Sequence, residues 1–555
     1  MNKKIYERNL LALSVNNPEI SSRLKILEEK KSTVHFVISK TNLLIPTINT
    51  PNGNIPLHST FDPIKEGYRY YTTTPKGEFM IFIGFGGGYH ILPFLKHKEI
   101  SQILVIEKNI LLFKSVLENI DVREILTDPR LTLLVESSPE QIKHFLLSNY
   151  FPAISGDLQT IILQPILRIE KNFLNETVNA IKAAISKIAD DYTVQAHFGK
   201  KWFTNTLLNL AAAEKSYLTL KPIKEVMITG AGPSLEAQLD KIKEIKKRAL
   251  LLATDTSLPF LLDNDVIPDM VISIDCQQVS YHHFLKGLPP DVPLIIDLAS
   301  PPILTRLTEK IIFFSSNHPF SIFVNRKWRS FPIIDTSGGN VSHAAVSLAH
   351  KLGAERIYLF GIDYSYPEGK VYARGTYIYP YFRSLEKRTT PLETKLFEFI
   401  MRNKAISKTF KNGTVIYTTK PMSSYQTRLE EYINTLDCEI IQIPGRGISL
   451  NIPSNIQRST KSVLRKIFAA GPYTVSWRQF LQEYLSLVEK LPEPYLPLGK
   501  YLKNLSMEER DIWFTQFPAA AAIRELDKLS EVTPPELLKY VREWTLSKVK
   551  HILES

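Results

Sequence analysis

Short apolar runs alternate with longer amphipathic stretches along most of the chain. "FMIFI" (79–83), "ILVIE" (103–107), "LTLLV" (131–135) and "LQTII" (158–162) are runs of Ile, Leu, Val and Phe with helical spacing between them. That alternation predicts parallel strands joined by helices. "STVHFVISK" (32–40) and "YRYYTTT" (68–74) read as further strands from their β-branched and aromatic content. From 171 to 218 the pattern is helical. The alternation then restarts with "EVMITG" (225–230), "ALLLATD" (249–255), "MVISID" (270–275), "PLIID" (293–297), "IIFFSS" (311–316) and "RIYLFGID" (356–363). Apolar runs ending in Gly, Asp or Ser suit a parallel sheet covered on both faces. "VSHAAVSLAHKLGA" (341–354) and "SLEKRTTPLETKLFEFIMRNKAI" (384–406) read as helices, and "GTVIYTT" (413–419) and "EIIQIPG" (439–445) as later strands. Beyond 456, "VLRKIFAA" (463–470), "WRQFLQEYLSLVEKL" (477–491) and "ELLKYVREWTLSKVKHILES" (536–555) have helix spacing. The prediction is an α/β protein. It has a Rossmann-like domain over 1–190, a second Rossmann-like domain over 191–455 and a helical domain over 456–555.

Composition narrows the function. The 555 residues are 44% hydrophobic and 22% charged, which suits globular domains with sizeable cores. The 68 basic and 56 acidic residues give a net charge of +12, which favours anionic partners such as nucleotides or phosphates. No arginine-rich tract or RNA-recognition signature is present, so nucleic acid is not expected. Cys276 and Cys438 lie far apart and form neither a metal-ligand spacing nor a disulfide framework. The N-terminus lacks a signal-peptide pattern, and no segment approaches ~18 uninterrupted apolar residues. The expectation is a cytoplasmic enzyme or binding protein without a membrane span.

Two glycine turns follow strands. In the first, Gly84, Gly86, Gly87 and Gly88 come before Glu107, which ends the next strand. This is the layout of a nucleotide fold, although the spacing departs from strict G-x-G-x-x-G; tight packing without a ligand is the competing reading. The second turn, "GAGPSL" (230–235), places Gly230 and Gly232 at a strand end, Pro233 where a helix would begin, and Ser234 where free N–H groups attract an anion. Asp255, Asp275 and Asp363 end other strands of this region, and Thr336, Ser337, Gly338, Gly339 and Asn340 open the helix at 341. Each alone also reads as a cap or a turn. Together they predict a cleft outside the carboxyl ends of the strands.

These segments, with "ATDTSLPFLLDNDVIPDMVISID" (253–275), "DTSGGNVSHAAVSLAHKLGAERIYLFGIDYSY" (335–366) and "GKVYARGT" (369–376), resemble the Maf family of motility-associated flagellin glycosyltransferases. The central domain is also similar to bacterial sialyltransferases that use CMP-sialic acid. The resemblance implies transfer of a nonulosonic acid, such as pseudaminic or legionaminic acid, from its CMP form to Ser or Thr of flagellin. By the same resemblance Gly230, Ala231, Gly232 and Ser234 line the phosphate side. Thr254, Asp255 and Asp275 lie near the ribose or sugar. Thr336, Ser337, Gly338 and Asn340 contact the donor, and Gly361, Ile362 and Asp363 hold the base or ribose. The CMP-sugar is a substrate; no tightly bound cofactor is expected, and a divalent metal is left open.

One departure stands out. Those sialyltransferases place a histidine base after the G-I-D strand, whereas this chain has Val371 and Tyr372 in "GKVYARGT" and no histidine between His350 and His551. Asp255 and Asp275 are the carboxylate candidates for a base. Tyr372 and Tyr366, with Tyr364 and Tyr377, are candidates for holding phosphate. His343 reads as a structural histidine. Two rival readings stand beside the transferase. Archaeal 6-hydroxymethylpterin diphosphokinases share a related central domain and would need Mg²⁺ on carboxylates such as Asp255, Asp275 and Asp363. A flagellin-binding protein without catalysis is the other.

Overall fold

The computed structural model describes residues 3–27, 34–51, 53–402, 406–411, 413–453, 468–527, 529 and 531–554. Its contacts divide the chain into two compact units, Met1–Lys200 with Leu487–Ser547, and Lys201–Ser486 with Lys548–Ser555.

In the first unit β1 (Val34–Ile38), β2 (Leu44–Thr50) and β3 (Gly53–Pro56) form a small antiparallel sheet. β4 (Phe79–Ile83), β5 (Gln102–Glu107), β6 (Leu131–Val135) and β7 (Leu158–Ile162) form a parallel sheet in the order β6-β5-β4-β7. Every residue of β4 is buried, as a strand with helices on both faces requires. Residues 68–74, expected as a strand, lie instead in the helix Pro63–Thr73. Asp62 caps that helix by accepting from the Lys65 N–H at 2.9 Å, and Pro63 occupies its first turn. These start signals precede the tyrosines and outweigh their β-propensity.

The helical run after 171 is one helix, Lys171–Glu214. The second unit follows it with β8 (Glu225–Thr229), β9 (Leu250–Thr254), β10 (Met270–Ser273), β11 (Leu294–Asp297), β12 (Ile311–Phe314) and β13 (Arg356–Phe360). β14 (Tyr366–Pro367), β15 (Ile406–Lys411) and β16 (Thr414–Thr419) form a separate antiparallel sheet, and β17 (Glu439–Gln442) rejoins the large one. The large sheet is parallel throughout, in the order β12-β11-β10-β9-β8-β13-β17. The chain starts at its centre with β8, winds outward to β12, and returns to the other side of β8 as β13. The direction of winding therefore reverses between β8 and β13, the place where open α/β sheets bind ligands.

Residues 366–420 form a lobe. The helices Ile378–Ser384 and Leu392–Met401 accompany its small sheet, and Tyr366, Val371, Ile378 and Ile400 form its core. Of the expected helix at 384–406, the structure forms the helix Leu392–Met401, while 403–405 lie outside the described residues. The C-terminal helices Trp477–Glu489, Leu498–Asn504, Met507–Leu526 and Pro534–Glu554 are divided between the two units. The segment read as helix at 463–470 falls, through 467, outside the described residues. Among the described residues no helix is long and apolar enough to cross a membrane.

Candidate functional site

The candidate site residues gather at the carboxyl ends of the second unit's strands, in three groups. The first joins the turns after β8 and β13. The Gly230 N–H donates to the Phe360 carbonyl and the Gly232 N–H to the Gly361 carbonyl, each at 2.8 Å. Gly361 has φ +59°, and a Cβ there would stand 2.5 Å from the Gly230 carbonyl oxygen. Only glycine suits both demands. Ile362 is core. Ser234 is buried; its N–H donates to Asp363 Oδ2 at 2.8 Å and its Oγ accepts from the Arg446 N–H at 2.7 Å. The amide that the sequence offers to a phosphate is thus held by the chain's own carboxylate. Gly445 packs against Ser234 and Gly447 against Asp363. Beside them a cavity of about 250 Å³ is lined by Gln238, Asp363, Gln442 and Pro444 among others.

The second group lies one and two strands outward. Thr254 is buried and donates its hydroxyl to the Thr229 carbonyl at 2.9 Å. Asp255, 3% exposed, accepts at Oδ1 from the Thr256 N–H (2.6 Å) and hydroxyl (3.0 Å), and at Oδ2 from the Ser273 hydroxyl (2.6 Å). Asp275 is only half-buried. Its Oδ1 accepts from the Gln277 N–H at 2.9 Å. Burial pushes its carboxyl above the ordinary value, the Gln277 N–H opposes this, and the Asp255 charge adds to the rise.

A roof crosses this pair. The Ala373 N–H donates to the Ala231 carbonyl at 2.9 Å, which anchors the segment over the Gly230 turn. Tyr372 and Tyr377 follow from it, half-buried. Burial raises both phenols, and the Asp255 charge contributes to each. Lys286 fastens the roof by ion-pairing with Asp263 and donating to the Gly375 carbonyl. Under the roof stands His283, its ring edge-on to Tyr377 with centroids 4.6 Å apart. It follows the acid after β10 rather than the turn after β13, and its mark in the sequence is "YHHF" (281–284).

The third group is the turn before the helix Val341–Lys351. Asn340 caps that helix by accepting from the His343 N–H at 3.0 Å. His343 is buried, lies 3.2 Å from Asp335 Oδ2 through Nε2, and packs so closely on Gly338 that a Cβ there would meet its ring. The His343 contact and the Ser337 N–H hold the Asp335 carboxyl well below its ordinary value. Thr336 and Ser337 keep solvent exposure. The Tyr364 hydroxyl reaches Asn340 Oδ1 at 3.4 Å and so links this turn to β13, while Tyr366 is buried in the lobe core.

Carboxylates for a metal do not converge. Among the described residues no group of three or more His, Cys, Asp or Glu side chains could hold a metal ion, and Asp363 faces the Ser234 amide.

The N-terminal glycine turn is filled by its own unit. Glu107 is buried and turned inward, accepting from the Phe85 N–H at 2.8 Å and the Asn109 N–H at 2.9 Å. His58 Nε2 accepts from the Gly87 N–H at 2.9 Å. Leu163 and Ile166 lie where a Cβ on Gly84 would go.

The fold is mixed α/β, with parallel, Rossmann-like sheets. It is similar to a solved structure titled "Structure of MAf glycosyltransferase from Magnetospirillum magneticum AMB-1", with TM-score 0.59 and 16% identity, covering 100% of this chain and 96% of that one. At that identity the likeness shows the fold. Residues 201–369 match the family described as "6-hydroxymethylpterin diphosphokinase MptE-like". Three proteins of Treponema pallidum (strain Nichols), each described as an uncharacterized protein, are similar. One is 33% identical over 27% of this chain and 54% of its own length, another 26% identical over 45% and 56%. The matched stretch thus spans about half the length of each of these. The third is 32% identical over 29% of this chain and 79% of its own length. The chain belongs to the family of that Treponema protein.

Proposed function

We propose that the chain is a glycosyltransferase that moves a nonulosonic acid of the pseudaminic or legionaminic type from its CMP-activated donor to Ser or Thr hydroxyls of flagellin. The observation that carries this reading is the fold likeness to the Maf glycosyltransferase over the whole chain. The mouth of the large sheet supports it, with half-buried Asp275 and Thr336, an exposed Ser337, and tyrosines overhead. Transfer breaks the bond between the anomeric carbon and the CMP phosphate oxygen, whose electron pair leaves with CMP. The acceptor oxygen bonds the same carbon and gives up its proton. In this reading the Tyr372 and Tyr377 hydroxyls donate to the leaving phosphate. CMP should raise the melting temperature of the protein. Flagellin from cells lacking the protein should lose a nonulosonic-acid mass; an unchanged mass spectrum refutes the reading.

The match over 201–369 favours a second reading, diphosphoryl transfer to a hydroxymethylpterin. That chemistry needs Mg²⁺ on carboxylates, and the three candidates do not fit one ion. A chelator that stops phosphoryl transfer, with no sugar transfer observed, would establish this reading instead.

A further inference from the structure

We infer that His283 takes the proton of the incoming hydroxyl, an assignment that rests on the transferase reading above. His283 is 9% exposed, and its Nδ1 is buried and makes no hydrogen bond among the described residues. Buried polar atoms are almost always paired, so an unpaired imidazole nitrogen packed against Tyr377 at the mouth of the sheet points to a partner brought by a ligand.

The carboxylates divide by their bonds. Both oxygens of Asp255 are already accepting, from Thr256 and from Ser273, which leaves it holding the floor of the site. Asp275 accepts at Oδ1 from the Gln277 N–H and, at 3.5 Å, at Oδ2 from the Gln277 side-chain amide, and it interacts electrostatically with His283. A carboxylate so placed stabilises the imidazolium that forms when His283 accepts a proton. The other groups around the imidazole are Tyr377 from the roof, whose phenol feels the Arg402 charge, and His282 beside it in the chain. In the step, the acceptor oxygen attacks the anomeric carbon, its proton passes to the imidazole, and the electron pair of the broken bond departs on the CMP phosphate. No metal or redox partner is needed for this balance.

The test uses the full-length protein, CMP, the CMP-nonulosonate donor and purified flagellin. His283→Asn and His283→Gln should bind CMP with wild-type affinity, as read by thermal shift. Their kcat should fall by roughly 10²–10⁴-fold with little change in KM for the donor. The acidic limb of the wild-type pH–rate profile should vanish in both, and added imidazole should partly restore His283→Ala. His144→Asn, at an exposed histidine of the first unit, is the control and should transfer at the wild-type rate. Transfer by either His283 variant at the wild-type rate overturns the assignment while the transferase reading stands. So does a wild-type profile with no acidic limb, which would fit proton capture by the leaving phosphate. A wild type that binds no CMP and transfers no sugar defeats the transferase reading itself.

Discussion

The two parallel sheets of this chain are wound alike and use their strand ends differently. Each starts at an inner strand that ends in a glycine turn, steps outward, and later returns to the other side of that strand. β4, β5, β6 and β7 correspond in this way to β8, β9, β10 and β13. The acid after the second strand is buried in both, Glu107 in one and Asp255 in the other, each holding nearby backbone N–H groups. They part at the third strand. Glu136, after β6, is tied to Arg23 at 2.7 Å. Asp275, after β10, has no Lys or Arg salt bridge among the described residues and interacts with an imidazole, His283, and a phenol, Tyr377. The difference teaches that topology offers a crevice, while an acid left without a cationic partner, and what faces it, distinguish one crevice from the other.

The largest effect expected from breaking this comparison is on rate. Asp275→Asn should lower transfer by roughly 10³-fold, about 4 kcal/mol of barrier, while Glu136→Gln should leave it unchanged. Steady-state assays of both variants check this, and equal losses would erase the distinction between the sheets.

Next come the glycines. Gly361→Ala should cost roughly 3 kcal/mol of stability, because the left-handed backbone is disfavoured and the new Cβ meets a carbonyl of a buried strand end. Gly86→Ala has a similar φ, +52°, but its Cβ meets the tips of His58 and Leu163, which can give way. About half the loss is expected there, with no change in CMP affinity. Denaturant melts with a CMP titration separate the two.

The smallest effect concerns Asp297, at the end of β11, one strand beyond any counterpart in the first unit. It is 2% exposed, and burial pushes its carboxyl up to about 6. The folded state therefore holds a proton that the unfolded state has lost between the ordinary value of 3.8 and about 6, so stability falls as pH rises through that window. Asp297→Asn keeps an acceptor for the Ala299 N–H and should gain on the order of 2 kcal/mol at pH 8, fading to nothing below about pH 4. Melting curves at those two pH values test the sign.

Most of the large sheet was legible because its strands are unbroken apolar runs ending in small or acidic residues. The helix at 63–73 was not, since aromatic content was weighed ahead of the Asp62–Pro63 start signal. β15 was missed because "ISKTFK" is largely solvent-exposed and carries no apolar run. The glycines and acids at strand ends were found, yet their hydrogen-bond partners were not predictable from spacing. Ser234 and Asp363 are 129 residues apart, and only the adjacency of β8 and β13 brings them together. His283 escaped for the related reason that its role depends on Tyr377, which arrives from the lobe.

The Ser234–Asp363 bond also bears on what the mouth will admit. With a resident anion already seated on the helix-start amide, a small free anion such as inorganic phosphate has to compete for a place that is taken. On the transferase reading, a CMP-activated donor would then be held chiefly through its sugar and base, and inorganic phosphate should compete with it poorly.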